Sequence, residues 1–254
     1  MADWSPATYL KFEGERTRAA RDLLVGVPLS DARKVVDVGC GPGNSTELLV
    51  ARYPDAEVVG FDNSPAMLAE AAKRLPGVRF EAADAATWRP APDVDLVYAN
   101  ATYQWIPNHF EVLPKVLAAL GPGAVLAVQM PDNIAEPTHR LMRETAAALG
   151  WTERLAPAGR QPLPPPRAYY DALAPFAARV DVWRTAYQHV LAGATAIVEF
   201  IRSTGLRPYL EPLAEPEREA FLTDFTARIG AAYPPLADGR VLLQFPRLFI
   251  VAQR

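Results

Sequence analysis

The sequence predicts an α/β fold built on a doubly wound, mainly parallel sheet with helices on both faces. Three observations support this prediction. Short β-branched apolar segments recur through the first half of the chain. Segments with helical spacing separate them, as right-handed crossovers between parallel strands require. A glycine-rich turn at 39–43 joins the first of these strands directly to a helix.

The early elements follow one another in regular alternation. Strands are predicted at 34–38, 57–61, 78–81, 95–99 and 124–129. Helices are predicted at 45–53, 66–75 and 110–120. Ser64 or Asn63 can cap the second helix, and Pro65 suits its first position. Five strands with their crossovers account for most of a nucleotide-binding core.

The later elements are less regular. A helix is predicted at 138–149, and five prolines at 156–167 then predict a loop or a lid hinge. Strands at 180–190 and 240–253 should complete the same sheet, with helices at 194–204 and 215–233 between them as an inserted cap. We therefore expect one domain over 1–254, with an N-terminal helical lid (1–30), a cofactor-binding core (31–150), a late strand plus helical cap (151–239) and a final strand (240–254).

Composition excludes several classes of protein. The chain has 254 residues, a formal net charge of −3 and one cysteine, Cys40. A single cysteine excludes an intramolecular disulfide framework and a thiolate-rich metal cluster, so we expect a cytoplasmic protein without a metal. No apolar run is long enough for a membrane span, and no basic cluster suggests nucleic-acid binding. We expect a monomer or weak oligomer.

The glycine-rich turn carries the strongest local signal. It reads Asp37-Val38-Gly39-Cys40-Gly41-Pro42-Gly43-Asn44-Ser45. Glycines allow a tight turn and a close approach of ligand to backbone. Their spacing is G-x-G-x-G, whereas dinucleotide-binding turns use G-x-G-x-x-G. An acid beside the turn suits a cationic or ammonium-bearing ligand better than a pyrophosphate, which favours S-adenosylmethionine over NAD.

Two further acids follow the next two predicted strands. Asp62, 25 residues after Asp37, is placed to accept hydrogen bonds from both hydroxyls of a ribose. Asp84 could meet the exocyclic amine of an adenine. Each could instead be a helix cap or a surface acid. Their joint placement at successive strand ends favours an adenosyl site.

These motifs resemble those of the class I S-adenosylmethionine-dependent methyltransferases, which have a Rossmann-like fold. The resemblance covers about 34–130, with 35–45, 60–68 and 82–85 matching the first three motifs of that class. Later segments resemble the trans-aconitate methyltransferase family, among them 98–105, 128–139, 168–171, 182–185, 204–208 and 245–252. The proline-rich stretch looks longer than is usual there. This resemblance implies methyl transfer to a carboxylate of trans-aconitate, a small polycarboxylate, giving a monomethyl ester and S-adenosylhomocysteine.

The implied reaction needs no catalytic acid or base, because a carboxylate is already anionic near neutral pH. The protein must align the reactants and compensate the acceptor's charge. The predicted cofactor-binding residues are Tyr9, Phe12, Arg16, Asp37, Gly39, Cys40, Gly41, Asn44, Ser45, Asp62, Asn63, Met67, Asp84, Ala85, Asn100 and Trp105. The predicted substrate-binding residues are Gln104, Trp105, His109, Tyr169, Arg184, Tyr187 and Arg207, with His139 and Tyr170 as further groups to examine.

Each of these roles has a plainer alternative. Arg207 could be a surface arginine, Trp105 a structural tryptophan and His109 a helix-start residue. Arg184 and Tyr187 are three apart in a predicted strand, so they should point to opposite faces. The N-terminal segment that carries Tyr9, Phe12 and Arg16 could form an amphipathic helix packed on the sheet, with Arg16 solvated. Three other functions also stay open: methylation of another small metabolite, NAD-dependent oxidation, and non-catalytic binding of an adenosyl group.

Overall fold

The computed structural model describes residues 13–202 and 204–254, apart from the side chains at 13, 15 and 16. The elements of the first half of the chain are α1 (Glu13–Val25), β1 (Lys34–Val38), α2 (Asn44–Arg52), β2 (Glu57–Asp62), α3 (Pro65–Arg74), β3 (Arg79–Ala82), β4 (Leu96–Asn100), a 3-10 helix (Tyr103–Trp105), α4 (His109–Ala119) and β5 (Val125–Pro131). All five predicted strands and three predicted helices of this half are present, each displaced by at most two residues at either end.

The second half contains two long strands and several helices. Its elements are α5 (Pro137–Ala148), α6 (Thr152–Leu155), a 3-10 helix (Ala156–Ala158), α7 (Pro166–Leu173), a 3-10 helix (Ala174–Phe176), β6 (Arg179–Leu191), α8 (Ala194–Arg202), α9 (Arg207–Leu210), α10 (Glu215–Ala232) and β7 (Val241–Gln253). As predicted, helices α8 and α10 lie between the last two strands in the chain, and the short helix α9 lies between them.

The proline-rich stretch differs from its prediction as a loop up to residue 167. It contains one 3-10 turn, and the helix α7 begins at Pro166. Proline fits there because the first helical residue has no intrahelical partner for its N–H. The short helices α6, α7 and α9 are too brief to show a hydrophobic period, and the sequence did not predict them.

Seven strands form one sheet in the order β3-β2-β1-β4-β5-β7-β6. The pairs of β1 with β2 and β4, of β2 with β3, and of β4 with β5 are parallel. The last strand, β7, runs antiparallel to β5. The order reverses between β1 and β4, and in open α/β sheets ligands bind outside the carboxyl ends of the strands at such a switch point. The predicted doubly wound class is confirmed.

The chain divides into two compact units. The core unit comprises Met1–Pro131, Leu163–Thr185 and Arg247–Arg254, and the second unit comprises Asp132–Pro162 and Ala186–Pro246. The expectation of one domain over 1–254 remains a prediction. Among the described residues, no helix is both long and apolar enough to cross a membrane.

The core unit is built around the central strands β1, β4 and β5. Their residues are almost entirely buried, which is why they read as continuous apolar runs. Helix α4 contributes Val112, Leu113, Val116 and Leu117 to the same hydrophobic cluster. On the other face, the hydroxyl of Tyr98 donates to the carbonyl of Ala20 in α1. These central strands are therefore covered by α4 on one face and by α1 on the other.

The second unit is mainly helical. Helix α10 packs against α5 and α8. Its buried residues are Phe221, Phe225 and Ile229, spaced four apart on one face. An edge-to-face contact joins the rings of Phe200 and Phe245, whose centroids are 5.6 Å apart. This unit has a hydrophobic core of its own.

Candidate functional site

The glycine-rich turn lies at the switch point, between β1 and α2. Gly39, Gly41 and Gly43 all have positive φ angles of +67°, +54° and +88°. Such angles are strained for residues with a Cβ. The turn is tied to β2, because the Cys40 N–H donates to the Phe61 carbonyl at 2.9 Å. Three glycines are thus required by backbone geometry alone.

Two of these glycines, Gly39 and Gly41, have different surroundings. A Cβ on Gly39 would lie 2.3 Å from the hydroxyl oxygen of Thr102, well inside contact distance. Among the described residues, no atom would lie within 4 Å of a Cβ on Gly41. Gly39 is therefore needed for packing inside the protein, whereas no described residue fills the space beside Gly41, which a ligand can occupy.

Thr102 and Ala101, which follow β4, were not predicted as site residues. The Thr102 hydroxyl donates to the Val38 carbonyl at 3.0 Å, joining the ends of β4 and β1. Ala101 has a φ of +58° and is the one non-glycine residue with positive φ in the described part of the chain. Strained backbone of this kind is concentrated at functional sites. No pattern in the sequence distinguishes an alanine in this conformation from an ordinary one.

Asp37 is fully buried at the end of β1. Its Oδ2 accepts hydrogen bonds of 2.7 Å from both Ser45 and Thr46, in the first turn of α2. Its Oδ1 has no hydrogen-bond partner among the described residues. Burial raises the pKa of Asp37 to about 6, although the two hydroxyl donors oppose this shift. The carboxyl therefore holds the turn on one side and has one acceptor oxygen left on the other.

We expect the free energy of unfolding of Asp37→Asn, relative to that of the wild type, to increase as pH rises. Between its ordinary pKa of 3.8 and a folded value of about 6, the folded carboxyl keeps a proton that the unfolded chain releases. Its contribution to stability is therefore complete below the ordinary pKa and is lost as pH rises through the folded pKa. Across this range the wild type should lose about 3 kcal/mol of its free energy of unfolding. Urea unfolding of both proteins across this pH range measures the difference, and a difference independent of pH would contradict the assignment.

Asp62, at the end of β2, connects the turn to the next helix. Its Oδ2 accepts from the Gly41 N–H at 3.0 Å, and its Oδ1 accepts from the Ser64 N–H at 2.9 Å. Ser64 caps α3 as predicted, accepting from the Met67 N–H at 3.2 Å. Asp62 and Gly41, predicted separately from the sequence, therefore belong to one hydrogen-bonded unit.

The remaining residues predicted around the cofactor differ in exposure. Asp84 is exposed and accepts from the Ala86 N–H in a local turn. Asn63 is exposed, while Ala85 packs at the edge of the hydrophobic core. Cys40 and Met67 are buried, and burial raises the pKa of the Cys40 thiol. Asn44 begins α2 and is half-buried. Tyr9, Phe12 and the side chain of Arg16 lie outside the described residues.

The end of β4 presents three of the predicted side chains. Asn100 is half-buried, and its Oδ1 is buried without a hydrogen-bond partner in the described chain. The amide of Gln104 donates to the Ala101 carbonyl at 2.6 Å. Trp105 ends the 3-10 helix and is half-buried. This edge therefore combines polar groups with an aromatic ring next to the glycine-rich turn.

His109 and Tyr169, both predicted to bind substrate, contact each other. His109 Nδ1 lies 2.9 Å from the Ile106 carbonyl, and Nε2 lies 2.7 Å from the Tyr169 hydroxyl. Nδ1 must then carry the proton, and Nε2 accepts from the hydroxyl. Burial lowers the pKa of His109, which keeps the ring neutral. These contacts agree with the plainer alternative, a structural residue at the start of α4.

The other predicted substrate-binding residues lie in three different surroundings. Arg184 is exposed and Tyr187 is buried, so the two do point to opposite faces of β6. Tyr187 stacks on the ring of His189. The Nε of Arg207 pairs with Glu211 at 2.7 Å, within one helical turn. Tyr170 is exposed. Their roles toward an acceptor remain predictions.

His139 lies in the second unit, packed against Gly205. Its ring is buried, and burial with two nearby guanidinium groups lowers its pKa to about 3. A Cβ on Gly205 would lie 2.7 Å from His139 Nε2. Gly205, two residues before Arg207, is thus needed because a side chain there would collide with the His139 ring.

We expect Gly205→Ala to lower the free energy of unfolding by about 1–3 kcal/mol, because the buried imidazole must move. Gly230→Ala is the matched control. Gly230 lies inside α10, and a Cβ there would be 3.8 Å from its nearest neighbour, Ala194. The Gly230→Ala substitution should therefore stabilise the protein by about 0.5–1 kcal/mol. Thermal and urea unfolding measure both variants, and equal stability of the two would refute this packing role.

Buried polar side chains on β5 and β7 were not predicted as site residues. Arg247 is 3% exposed, and its Nη1 donates to Gln129 Oε1 at 3.1 Å. The segment 245–252 resembles the family, but nothing in the sequence marks Arg247 as buried. No group of three or more His, Cys, Asp or Glu residues that could hold a metal occurs in the described chain.

Comparison with known proteins gives consistent results. A family model described as a methyltransferase domain matches residues 35–123. The chain is 58% identical to trans-aconitate 2-methyltransferase of Rhodopseudomonas palustris strain BisB18, over 99% of each chain. It is 56% identical to the enzyme of the same name from Agrobacterium fabrum, over 98% of each chain.

Solved structures with little sequence identity share the fold. Phosphoethanolamine N-methyltransferase 2 of Haemonchus contortus, in complex with S-adenosyl-L-methionine, aligns with a TM-score of 0.57 at 14% identity, over 97% of this chain and 56% of that one. The YcgJ protein of Bacillus subtilis aligns with a TM-score of 0.59 at 10% identity, over 93% of this chain and 98% of that one.

Proposed function

Because the chain belongs to the trans-aconitate 2-methyltransferase family, we propose that it transfers a methyl group from S-adenosylmethionine to a carboxylate of trans-aconitate. The products are a monomethyl ester and S-adenosylhomocysteine. The observation that carries this proposal is the high identity to relatives of that name over essentially the full length. The alternatives of NAD-dependent oxidation and non-catalytic adenosyl binding do not agree with this family.

The geometry of the glycine-rich turn fits the proposed cofactor. No described residue fills the space beside Gly41, and the neighbouring Asp37 Oδ1 and Asn100 Oδ1 are acceptors without partners among the described residues. An ammonium group needs such acceptors. Asp62 is fixed by two backbone N–H donors, and a carboxylate can accept further hydrogen bonds from ribose hydroxyls. S-adenosylmethionine, when bound, supplies an electrophilic methyl group on a sulfonium.

The residues act by binding and orientation. Asp62 and Gly41 would hold the nucleoside, with Asp84 near its base, and Asp37 and Asn100 would hold the ammonium end. The acceptor carboxylate attacks as an anion, so no residue has to remove a proton. The protein needs to align the carboxylate oxygen with the methyl carbon and to compensate its charge as water is excluded. We accordingly assign no catalytic acid or base.

Two measurements test this function. The purified protein is incubated with S-adenosylmethionine and separately with trans-aconitate, cis-aconitate, citrate and a monocarboxylate, and methyl esters are followed by mass spectrometry. We expect ester formation with trans-aconitate above all others. Turnover of another acid without turnover of trans-aconitate would replace the proposed acceptor. S-adenosylhomocysteine, but not NAD, should raise the melting temperature.

We further propose that the protein works in the cytoplasm as a monomer or weak oligomer, with a small-molecule acceptor. Its single cysteine suits a reducing compartment. Light scattering at micromolar concentration tests the oligomeric state.

A further inference from the structure

The segment that follows β4 folds back over the end of β1. Asp37 of β1 is paired in register with Tyr98 of β4, so Val38 lies level with residue 99. An extended strand would carry residue 102 roughly 10 Å beyond that level. Instead, the Thr102 hydroxyl donates to the Val38 carbonyl at 3.0 Å. The chain must therefore turn sharply between Asn100 and Thr102.

Ala101 makes this turn. Its φ of +58° lies in the left-handed region, which is unfavourable for a residue with a Cβ. Its N–H donates to the Gln129 carbonyl at 2.9 Å, which ties the start of the turn to β5. Backbone in such a conformation persists only where the surrounding contacts impose it. The contacts of Ala101 therefore decide where Thr102 lies.

The side chain of Gln104 supplies a second contact to Ala101. Its Nε2 donates to the Ala101 carbonyl at 2.6 Å. Within the described part of the chain, no backbone N–H donates to this carbonyl, and the first bond of the 3-10 helix runs from the Trp105 N–H to the Thr102 carbonyl. A carbonyl can only accept, so the amide nitrogen must face it. Gln104 thus replaces a backbone donor and fixes the direction of the Ala101 carbonyl.

Both neighbours of Ala101 border the proposed cofactor site. Asn100 precedes it, and the buried Oδ1 of Asn100 has no hydrogen-bond partner among the described residues. Thr102 follows it and packs against Gly39, where an added Cβ would lie 2.3 Å from the threonine hydroxyl oxygen. A change of φ at Ala101 would displace both side chains. The conformation of one alanine therefore controls two walls of the space beside the glycine-rich turn.

We propose that Gln104 is a positioning residue for the cofactor and acts by holding Ala101 in its left-handed conformation. This inference rests on the proposed function for the identity of the cofactor, and on the structure for the contacts. The sequence predicted that Gln104 binds the substrate. Its Oε1, however, is an acceptor and cannot form a hydrogen bond with a carboxylate, and its Nε2 already contacts the Ala101 carbonyl.

Gln104→Met tests this role, because it keeps the length of the side chain and removes the amide. We expect the affinity for S-adenosylhomocysteine to fall at least about fivefold, as the loss of one hydrogen bond predicts. At saturating S-adenosylmethionine, KM for trans-aconitate should stay unchanged, since no contact with the acceptor is lost. A rise in that KM would assign Gln104 to the acceptor and overturn the proposal.

Gln253→Met is the matched control. The Gln253 Nε2 also donates to a backbone carbonyl, that of Gly123, at 3.1 Å. Gly123 has a φ of +86°, which a glycine adopts without strain. Gln253 is paired with Val125, at the first residue of β5 and thus at the opposite edge of the sheet. We expect its affinity for S-adenosylhomocysteine to equal that of the wild type, and a loss as large as in Gln104→Met would contradict the proposal.

Adding Ala101→Gly to Gln104→Met separates positioning from direct contact with a ligand. A glycine adopts the positive φ without strain, so the turn no longer depends on Gln104. We expect the double variant to recover the wild-type affinity for S-adenosylhomocysteine. Ala101→Gly alone should bind as the wild type does and melt at a higher temperature. Failure of the double variant to recover would show that Gln104 contacts the ligand itself, and the proposal would be wrong.

Calorimetric titration with S-adenosylhomocysteine, together with melting temperatures, provides these comparisons. If the wild type does not bind S-adenosylhomocysteine, the proposed function fails. If the wild type binds it and Gln104→Met binds it equally well, the positioning role is wrong, even where the variant melts at a lower temperature. A lower melting temperature for Ala101→Gly would show that the alanine is not strained, which would also overturn the proposal.

Discussion

Gly39→Ala is expected to destabilise the protein severely and to abolish cofactor binding. The new Cβ would lie 2.3 and 2.4 Å from the side-chain oxygen and methyl carbon of Thr102, with a φ of +67°. Left-handed backbone at a residue with a Cβ costs about 1–2 kcal/mol, and overpacking in a filled site adds about 1–3 kcal/mol. Because Thr102 joins β4 to β1, its displacement should open the end of the sheet. Urea unfolding and calorimetry with S-adenosylhomocysteine measure the two effects.

Gly41→Ala is the matched control for this prediction. Its φ is +54°, so the backbone strain is similar, but no atom of the described residues lies within 4 Å of the added Cβ. We expect a loss of about 1–2 kcal/mol in stability from strain alone. Its affinity for S-adenosylhomocysteine should nevertheless fall, since the methyl group enters the space assigned to the ligand. Equal losses of stability in the two variants would show that Thr102 is not the cause.

Asp62→Ala is expected to lower the affinity for S-adenosylhomocysteine by at least about 100-fold, or about 3 kcal/mol. The substitution removes two acceptors that hold the Gly41 and Ser64 N–H groups at 3.0 and 2.9 Å. Hydrogen bonds to a charged group contribute about 1.5–3 kcal/mol each. It also removes the proposed partner of the ribose hydroxyls. Calorimetric titration gives the affinity, and circular dichroism checks that the fold is retained.

Asp84→Ala provides the comparison for Asp62. Asp84 is exposed and accepts one hydrogen bond from the Ala86 N–H within its own turn. We expect it to lower affinity by at most about tenfold, because exposed polar contacts with a ligand contribute about 0.5–1.5 kcal/mol. A larger loss for Asp84→Ala than for Asp62→Ala would make Asp84 the more important of the two acids and contradict this prediction.

The sequence predicted those parts of the site that rest on local patterns. Asp37 lies near the end of a β-branched run, the three glycines lie between that run and a helix start, and the structure places them together. Asp62 was predicted because it ends the next strand, and its bond to Gly41 follows from the pairing of β1 with β2. These residues are near each other both in the chain and in the sheet, so local spacing was sufficient.

The hydrogen bond between Arg247 and Gln129 was beyond prediction because it depends on register between distant segments. Gln129 and Arg247 are 118 residues apart in the chain, and only the antiparallel pairing of β5 with β7 brings them together. The positive φ of Ala101 likewise arises from tertiary contacts. Nothing in the sequence indicates that His109 and Tyr169, which are 60 residues apart, contact each other.

The burial of Cys40 in the middle of the glycine-rich turn gives the protein a reporter of its own motion. Cys40 is 3% exposed as a residue, and burial raises the pKa of its thiol, so a modifying reagent can react only when the turn opens. With no second cysteine in the chain, the rate of labelling reports one event, the transient opening of the segment between β1 and α2. A ligand that closes over the turn would slow that rate, and the unmodified protein could therefore be used to follow its occupancy.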